Sequence, residues 1–264
     1  MPPFAPLTGG ETFGGGSSRY AAAMLSEDLR SVTRPPGEFR GLSLDVTYPR
    51  RQAAFWRIAL GGTVATEAGE RLGIAPGPGR PPTEILHLRP VAAAAPDGAR
   101  VHLDLRLAGP EPGPLLRAGA RVVRHPGPDP WWVLADTEGN ELCAFPAVDD
   151  RPAGIFELVV KCHDPHRLSR WWAAVLGGAA EEEGEAAVVA GAVDFPWDYM
   201  VFDRVPDGAL PPNRLRWHIA LRTSDPAELL AMGASLRIPA SAGAPALMAD
   251  PEGNEFFVSG AAVP

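Results

Sequence analysis

The chain has 264 residues, 45% hydrophobic and 21% charged, which is enough for two domains that each bury a core. A formal net charge of −8, with no basic run to offset it, argues against nucleic acid or an anionic membrane as the main partner. No apolar stretch is long enough to span a bilayer, and no charged-then-apolar leader follows Met1. Cys143 and Cys162 make neither a disulfide framework nor a Cys-x-x-Cys knuckle, so a reduced, cytoplasmic protein is expected.

Residues 1–38 form an N-terminal extension: a Gly- and Pro-rich stretch to Ser17, then a helix over Ser18–Val32 that ends before Pro35-Pro36. A strand over Gly41–Thr47 then leads into a helix carrying Phe55-Trp56, which ends at Leu60-Gly61-Gly62. After further strands comes Val101–Leu107 (VHLDLRL), a short helix over Pro114–Ala118 with Gly119 behind it, and a close reading Asp136-Thr137-Glu138-Gly139-Asn140-Glu141. Asp149–Pro152 is a linker, and the same series then repeats. A strand over Phe156–Lys161 enters a helix capped by Asp164-Pro165, which carries Trp171-Trp172 and ends at Leu176-Gly177-Gly178. Glu181–Glu185 reads as a solvated charged loop. Trp217–Arg222 (WHIALR) precedes a short helix over Pro226–Met232, N-capped by Ser224 or Asp225, and the close is Asp250-Pro251-Glu252-Gly253-Asn254-Glu255. Each copy is thus a β-α-β-β-β series run twice, which predicts an α+β fold.

Strand alternation sorts the side chains into two faces. Leu103, Leu105 and Leu107 share one face and His102, Asp104 and Arg106 the other. Phe156, Leu158 and Val160 oppose Glu157, Val159 and Lys161, while Trp217, Ile219 and Leu221 oppose His218, Ala220 and Arg222. The apolar face must pack on the helices, which leaves the polar face as a ligand cup. Glu141, Cys143 and Phe145 share a face on one closing strand, as do Glu255, Phe257 and Ser259 on the other.

The strand-then-helix entry, the His-x-x-Leu-Arg strand and the Asp-x-Glu-Gly-Asn-Glu close, each found twice, resemble the vicinal oxygen chelate superfamily and its glyoxalase-like, bleomycin-resistance-type domains. The resemblance implies tandem domains over 39–149 and 150–264, each a pair of βαβββ units forming a curled sheet cup. Metal sites in that superfamily use four strand positions. The resemblance places the His-strand and closing-Glu positions on His102 and Glu141, and on His218 and Glu255. The first-strand position falls on Gly41, which cannot ligate, and on Glu157. The remaining position falls near His87 in the first copy and on Val201 or Asp203 in the second.

Glu157, His218 and Glu255 then form the expected metal set, with Glu157 and Glu255 as candidate proton movers, and with Fe, Mn, Ni or Zn as the divalent ion. An isomerase, lyase, transferase or dioxygenase acting on a small oxygenated metabolite is implied; the alternative is a metal-free protein that sequesters an antibiotic or other natural product. No organic cofactor is evident. Arg106 and Arg222 either bind a substrate carboxylate or phosphate or pair with a neighbouring acid such as Asp104. Of Trp131-Trp132 one ring enters the first cup, with Trp132 as the candidate, and Trp197, Tyr199 and Asp203 are candidates in the other. Trp56, Trp171 and Trp172 are expected in the core. A monomer whose two copies pair within the chain is expected.

Overall fold

The computed structural model describes residues 34–66, 71–93, 99–223 and 225–260. The helix expected over Ser18–Val32 and a cap at Ser224 lie outside these residues. The chain makes four consecutive β-α-β-β-β units. The first is β1 (Gly37–Val46), α1 (Pro49–Ala59), β2 (Thr63–Thr66), β3 (Leu72–Ala75) and β4 (Leu86–Pro90). The second is β5 (Val101–Arg106), α2 (Gly113–Arg117), β6 (Arg121–Arg124), β7 (Trp132–Ala135) and β8 (Glu141–Phe145). The third is β9 (Gly154–Cys162), α3 (Pro165–Leu176), β10 (Ala179–Glu183), β11 (Ala186–Ala190) and β12 (Tyr199–Arg204). The fourth is β13 (Leu215–Leu221), α4 (Ala227–Ala231), β14 (Ser235–Ile238), β15 (Ala246–Ala249) and β16 (Glu255–Ser259).

These strands form two eight-stranded sheets, and each sheet takes one unit from each copy. Sheet one runs β14-β15-β16-β13-β1-β4-β3-β2, and sheet two runs β10-β11-β12-β9-β5-β8-β7-β6. The joints are the antiparallel pairs β1 with β13 and β5 with β9, so the two copies pair within the chain. Each cup is therefore built from both copies.

The core keeps each copy together instead. Leu42, Leu44, Leu103, Leu105, Leu158 and Ile219 are all buried on the apolar face, as alternation predicts. From α3, Trp172 meets Trp217 of β13 edge-on at 4.9 Å and Phe256 of β16 at 5.0 Å, tying the two units of the second copy face to face. Its indole Nε1 donates to Asp250 Oδ2 at 3.1 Å, and Asp250 Oδ1 accepts from the backbone N–H of Glu252 and Asn254, both at 2.9 Å. The first copy repeats this with Trp56 Nε1 on Asp136 Oδ2 at 3.2 Å. Glu138 accepts from the N–H groups of Thr47 and Tyr48 at 2.8 and 2.7 Å, ahead of α1. Glu252 does the same for His163 and Asp164 at 2.7 and 2.8 Å, ahead of α3. The repeated Trp and the Asp-x-Glu-Gly-Asn turn thus recur together because they bond to each other.

Three details differ from expectation. Glu181–Glu183 belong to the edge strand β10, not a loop; a charged outer strand resists pairing with another chain. The register of β5 on β9 shifts between Asp104 and Leu105, so Glu157 and Ile155 are successive partners and Phe156 is bulged out of the apolar face. Lastly, β1 begins at Gly37 and carries a bulge between Phe39 and Gly41.

Candidate functional site

The polar face of sheet two forms a grid of side chains. One row holds Cys143, Asp104, Glu157 and Tyr199 on the neighbouring strands β8, β5, β9 and β12. The next row places His102 opposite Val159, which stands opposite Val201. Beyond it Lys161 pairs with Asp203, and Lys161 Nζ lies 4.0 Å from Glu141 Oε2. On the other side of the first row, Arg106 stands beside Phe145.

At the centre, one potential ligand atom from each of His102, Asp104 and Cys143 lies within 4.8 Å of the others. His102 Nε2 is 3.2 Å from Asp104 Oδ1, yet that buried oxygen has no hydrogen bond of good geometry. A buried carboxylate oxygen with no hydrogen bond of good geometry, beside an imidazole and a thiol, fits a divalent cation, with the His, Asp and Cys donors suited to zinc or another borderline-soft first-row ion. Burial pushes the Cys143 thiol up, with the Asp104 charge adding to it. The Glu157 carboxyl is pushed up to about 8, first by burial and then by the charges of Asp104, Asp198 and Glu183. Burial also raises Asp203, against the pull of His102.

The equivalent face of sheet one is differently furnished. Gly41 stands opposite His218, which stands opposite Phe257. The His218 ring stacks on Phe257 at 4.7 Å and lies 5.5 Å from the His87 ring. Burial, and secondarily His87, lowers His218 to about 4, so it is neutral at pH 7. The acids of this cup are committed to arginines. Arg216 donates to Glu255 at 2.8 Å and to Asp45 at 2.8 Å, and Arg89 holds both Asp45 oxygens at 2.6 and 2.7 Å. Gly41 has φ +138°, and a Cβ there would lie 2.7 Å from Ile85 Cγ2, so no liganding side chain fits at the position that Glu157 fills in the other copy.

Several expectations are corrected. Glu157 lies on sheet two whereas His218 and Glu255 lie on sheet one, so they do not form one metal set. Strands β1 and β9 have partners of the same pattern within and between copies, and alternation alone cannot tell which of them pair. The two His-bearing strands are also offset by two residues: His218 stands over Gly41 as Asp104 stands over Glu157, and Arg216 is the counterpart of His102. Arg106 and Arg222 are consequently not equivalent. Arg222 is 2.7 Å from Glu38 and donates to the Pro35 carbonyl at 2.8 Å.

Trp132 turns to the core face with Ala144, while Trp131 stacks on Phe145 at 4.8 Å. Trp197 is buried against Phe39 and Phe195 at 5.4 and 5.2 Å, away from either cup. Tyr199 and Asp203 do lie on the sheet-two face with His102, and Glu141 sits there beside Lys161. His87 and His218 meet on sheet one. Trp56, Trp171 and Trp172 are in the core as expected. The functional reading of the sequence missed Asp104 and Cys143. Counting back from the shared Asp-x-Glu-Gly-Asn close, rather than matching the histidines, would have set Asp104 against His218.

A glyoxalase-like domain family model matches residues 41–145 and again 157–259. Among solved structures, a mutant of glyoxalase I from Zea mays superposes with TM-score 0.63 at 12% identity, covering 85% of this chain and 94% of that one. Zea mays glyoxalase I itself gives 0.61 at 12% identity, over 85% and 92%. A putative dioxygenase from Bacillus subtilis gives 0.56 at 13% identity, over 86% of each chain. No curated protein matches. Similarity at this level of identity speaks to the fold, and with the twofold family match it shows that the chain belongs to the glyoxalase-like domain family, whose domain it carries in tandem.

Proposed function

We propose that the protein is a divalent-metal-dependent enzyme of the vicinal oxygen chelate type, working on a small oxygenated metabolite in the cup of sheet two. The observation that carries this reading is the convergence of His102, Asp104 and Cys143 around a buried carboxylate oxygen that makes no hydrogen bond of good geometry. A bound cation would supply Lewis acidity toward substrate oxygens. Asp104 and Cys143 are brought together by strand register, and His102 reaches them from one row away. Glu157, beside Asp104 on the next strand, is the group placed to take or give a proton. Lys161 and Asp203 close the far end of the cup with opposite charges. Both cups are completed within one chain, which supports a monomer as the working unit; native mass measurement tests it.

Cobalt(II) titration tests the reading. Thiolate ligation gives a near-ultraviolet charge-transfer band at one equivalent, and Cys143→Ala removes that band while His218→Phe keeps it. A featureless titration of the wild-type protein would favour a metal-free binding protein instead.

A further inference from the structure

The sheet-two cup has two unlike ends. Around Asp104 it is polar and acidic, but one row along the strands it becomes aromatic and cationic. Phe145 meets Phe156 edge-on at 5.1 Å, and Trp131 stacks on Phe145 at 4.8 Å. The three rings are partly exposed, and Phe156 is bulged out of the apolar face as described. The Arg106 guanidinium lies 4.4 Å over the Phe156 ring. Its compensation is loose: Asp198 is 3.9 Å away and is shared with Arg151 at 3.4 Å, and its hydrogen bond to the Pro152 carbonyl is long at 3.3 Å. A guanidinium only 11% exposed, whose ion pair with Asp198 is long at 3.9 Å, favours an arriving anion.

We propose that this shelf binds a planar ring bearing a carboxylate, with the ring against Trp131, Phe145 and Phe156 and the carboxylate on Arg106. The opposite substituent of the ring then reaches the His102, Asp104 and Cys143 group. Arg106 and Asp104 are two residues apart on one strand face, so their Cα atoms are about 7 Å apart, the scale of one six-membered ring with a polar group at each end. The inference rests on this cup being the binding site but not on the metal.

The test is calorimetric titration of the zinc-treated full chain with 4-hydroxybenzoate, phenol and 4-hydroxycyclohexanecarboxylate. The first should bind roughly tenfold or more tightly than either of the others, because only it engages both the ring shelf and the arginine. Arg106→Met should lose about tenfold for 4-hydroxybenzoate and nothing for phenol. Trp131→Ala should weaken both aromatic probes, and metal content should stay unchanged in both variants. Arginine-dependent binding in a chain that takes up no metal would uphold this inference while refuting the metal reading. Absence of binding at millimolar 4-hydroxybenzoate, or unchanged affinity in Arg106→Met, overturns it.

Discussion

Replacing Asp250 by alanine should be among the most costly single changes on the apolar side of sheet one. The carboxylate is 3% exposed and accepts four hydrogen bonds, from Trp172 Nε1, the N–H groups of Glu252 and Asn254, and Asn254 Nδ2 at 3.0 Å. A buried donor left without an acceptor costs about 1–3 kcal/mol, and partial relaxation or water entry lowers the sum, so a loss of about 4 kcal/mol is expected. Trp172→Phe removes one donor and should cost about 1–2 kcal/mol, and the double variant should fall short of additivity by about 1 kcal/mol. Urea unfolding followed by circular dichroism gives the numbers through the midpoint and slope. The Trp56–Asp136 pair provides an internal repeat, since Asp136 makes the matching bonds to Glu138 and Asn140 at 2.8 and 2.9 Å. A loss below about 1 kcal/mol for Asp250→Ala with an unchanged slope would refute the account of the motif as a fastener.

Three other expectations follow from the same geometry. His218 is buried neutral with a pKa of about 4, below the unfolded value near 6.5, so its contribution is present above pH 6.5 and lost as pH falls toward 4. His218 alone accounts for a loss of about 2 kcal/mol from pH 7 to 5, read by urea unfolding as the difference between the wild-type and His218→Gln profiles because Glu157, with its carboxyl pushed up to about 8, acts in the opposite sense; parallel pH profiles would refute it. Gly41→Ala meets both a positive φ and Ile85, and should cost about 2 kcal/mol or more in the same assay. Residues 34–149 expressed alone keep their core fastener but expose the edges of β1 and β5, so they should self-associate by size-exclusion chromatography and be rescued by residues 150–260. A stable monomeric fragment would contradict this expectation.

Most of the fold was legible in the sequence because each element carries its own local signal. Period-two alternation marked the strands, Leu-Gly-Gly ended both long helices, and the repeated Asp-x-Glu-Gly-Asn close revealed the duplication. The apolar faces followed from burial alone. The site was only half legible, since its membership depends on which strands pair. The β1 strand could join β5 or β13 with the same pattern of side chains, and only three-dimensional closure chooses β13. Matching His102 to His218 also misread the register, because the eye follows the rarer residue while the backbone follows the turn. Phe156 could not be assigned to the cup without the bulge that turns it. The arginine pairing of the acids in the sheet-one cup was hidden for a similar reason, since Arg216 and Glu255 meet only across β13 and β16.

The most direct test of the central claim is the metal content per chain after zinc loading and exhaustive dialysis, measured by inductively coupled plasma mass spectrometry. The wild type and the sheet-one variants His218→Phe and Glu255→Gln should each retain one ion. Asp104→Asn and Cys143→Ala should lose it while remaining folded by circular dichroism. Retention in the sheet-two variants, or loss in the sheet-one variants, would contradict a metal centre built on His102, Asp104 and Cys143.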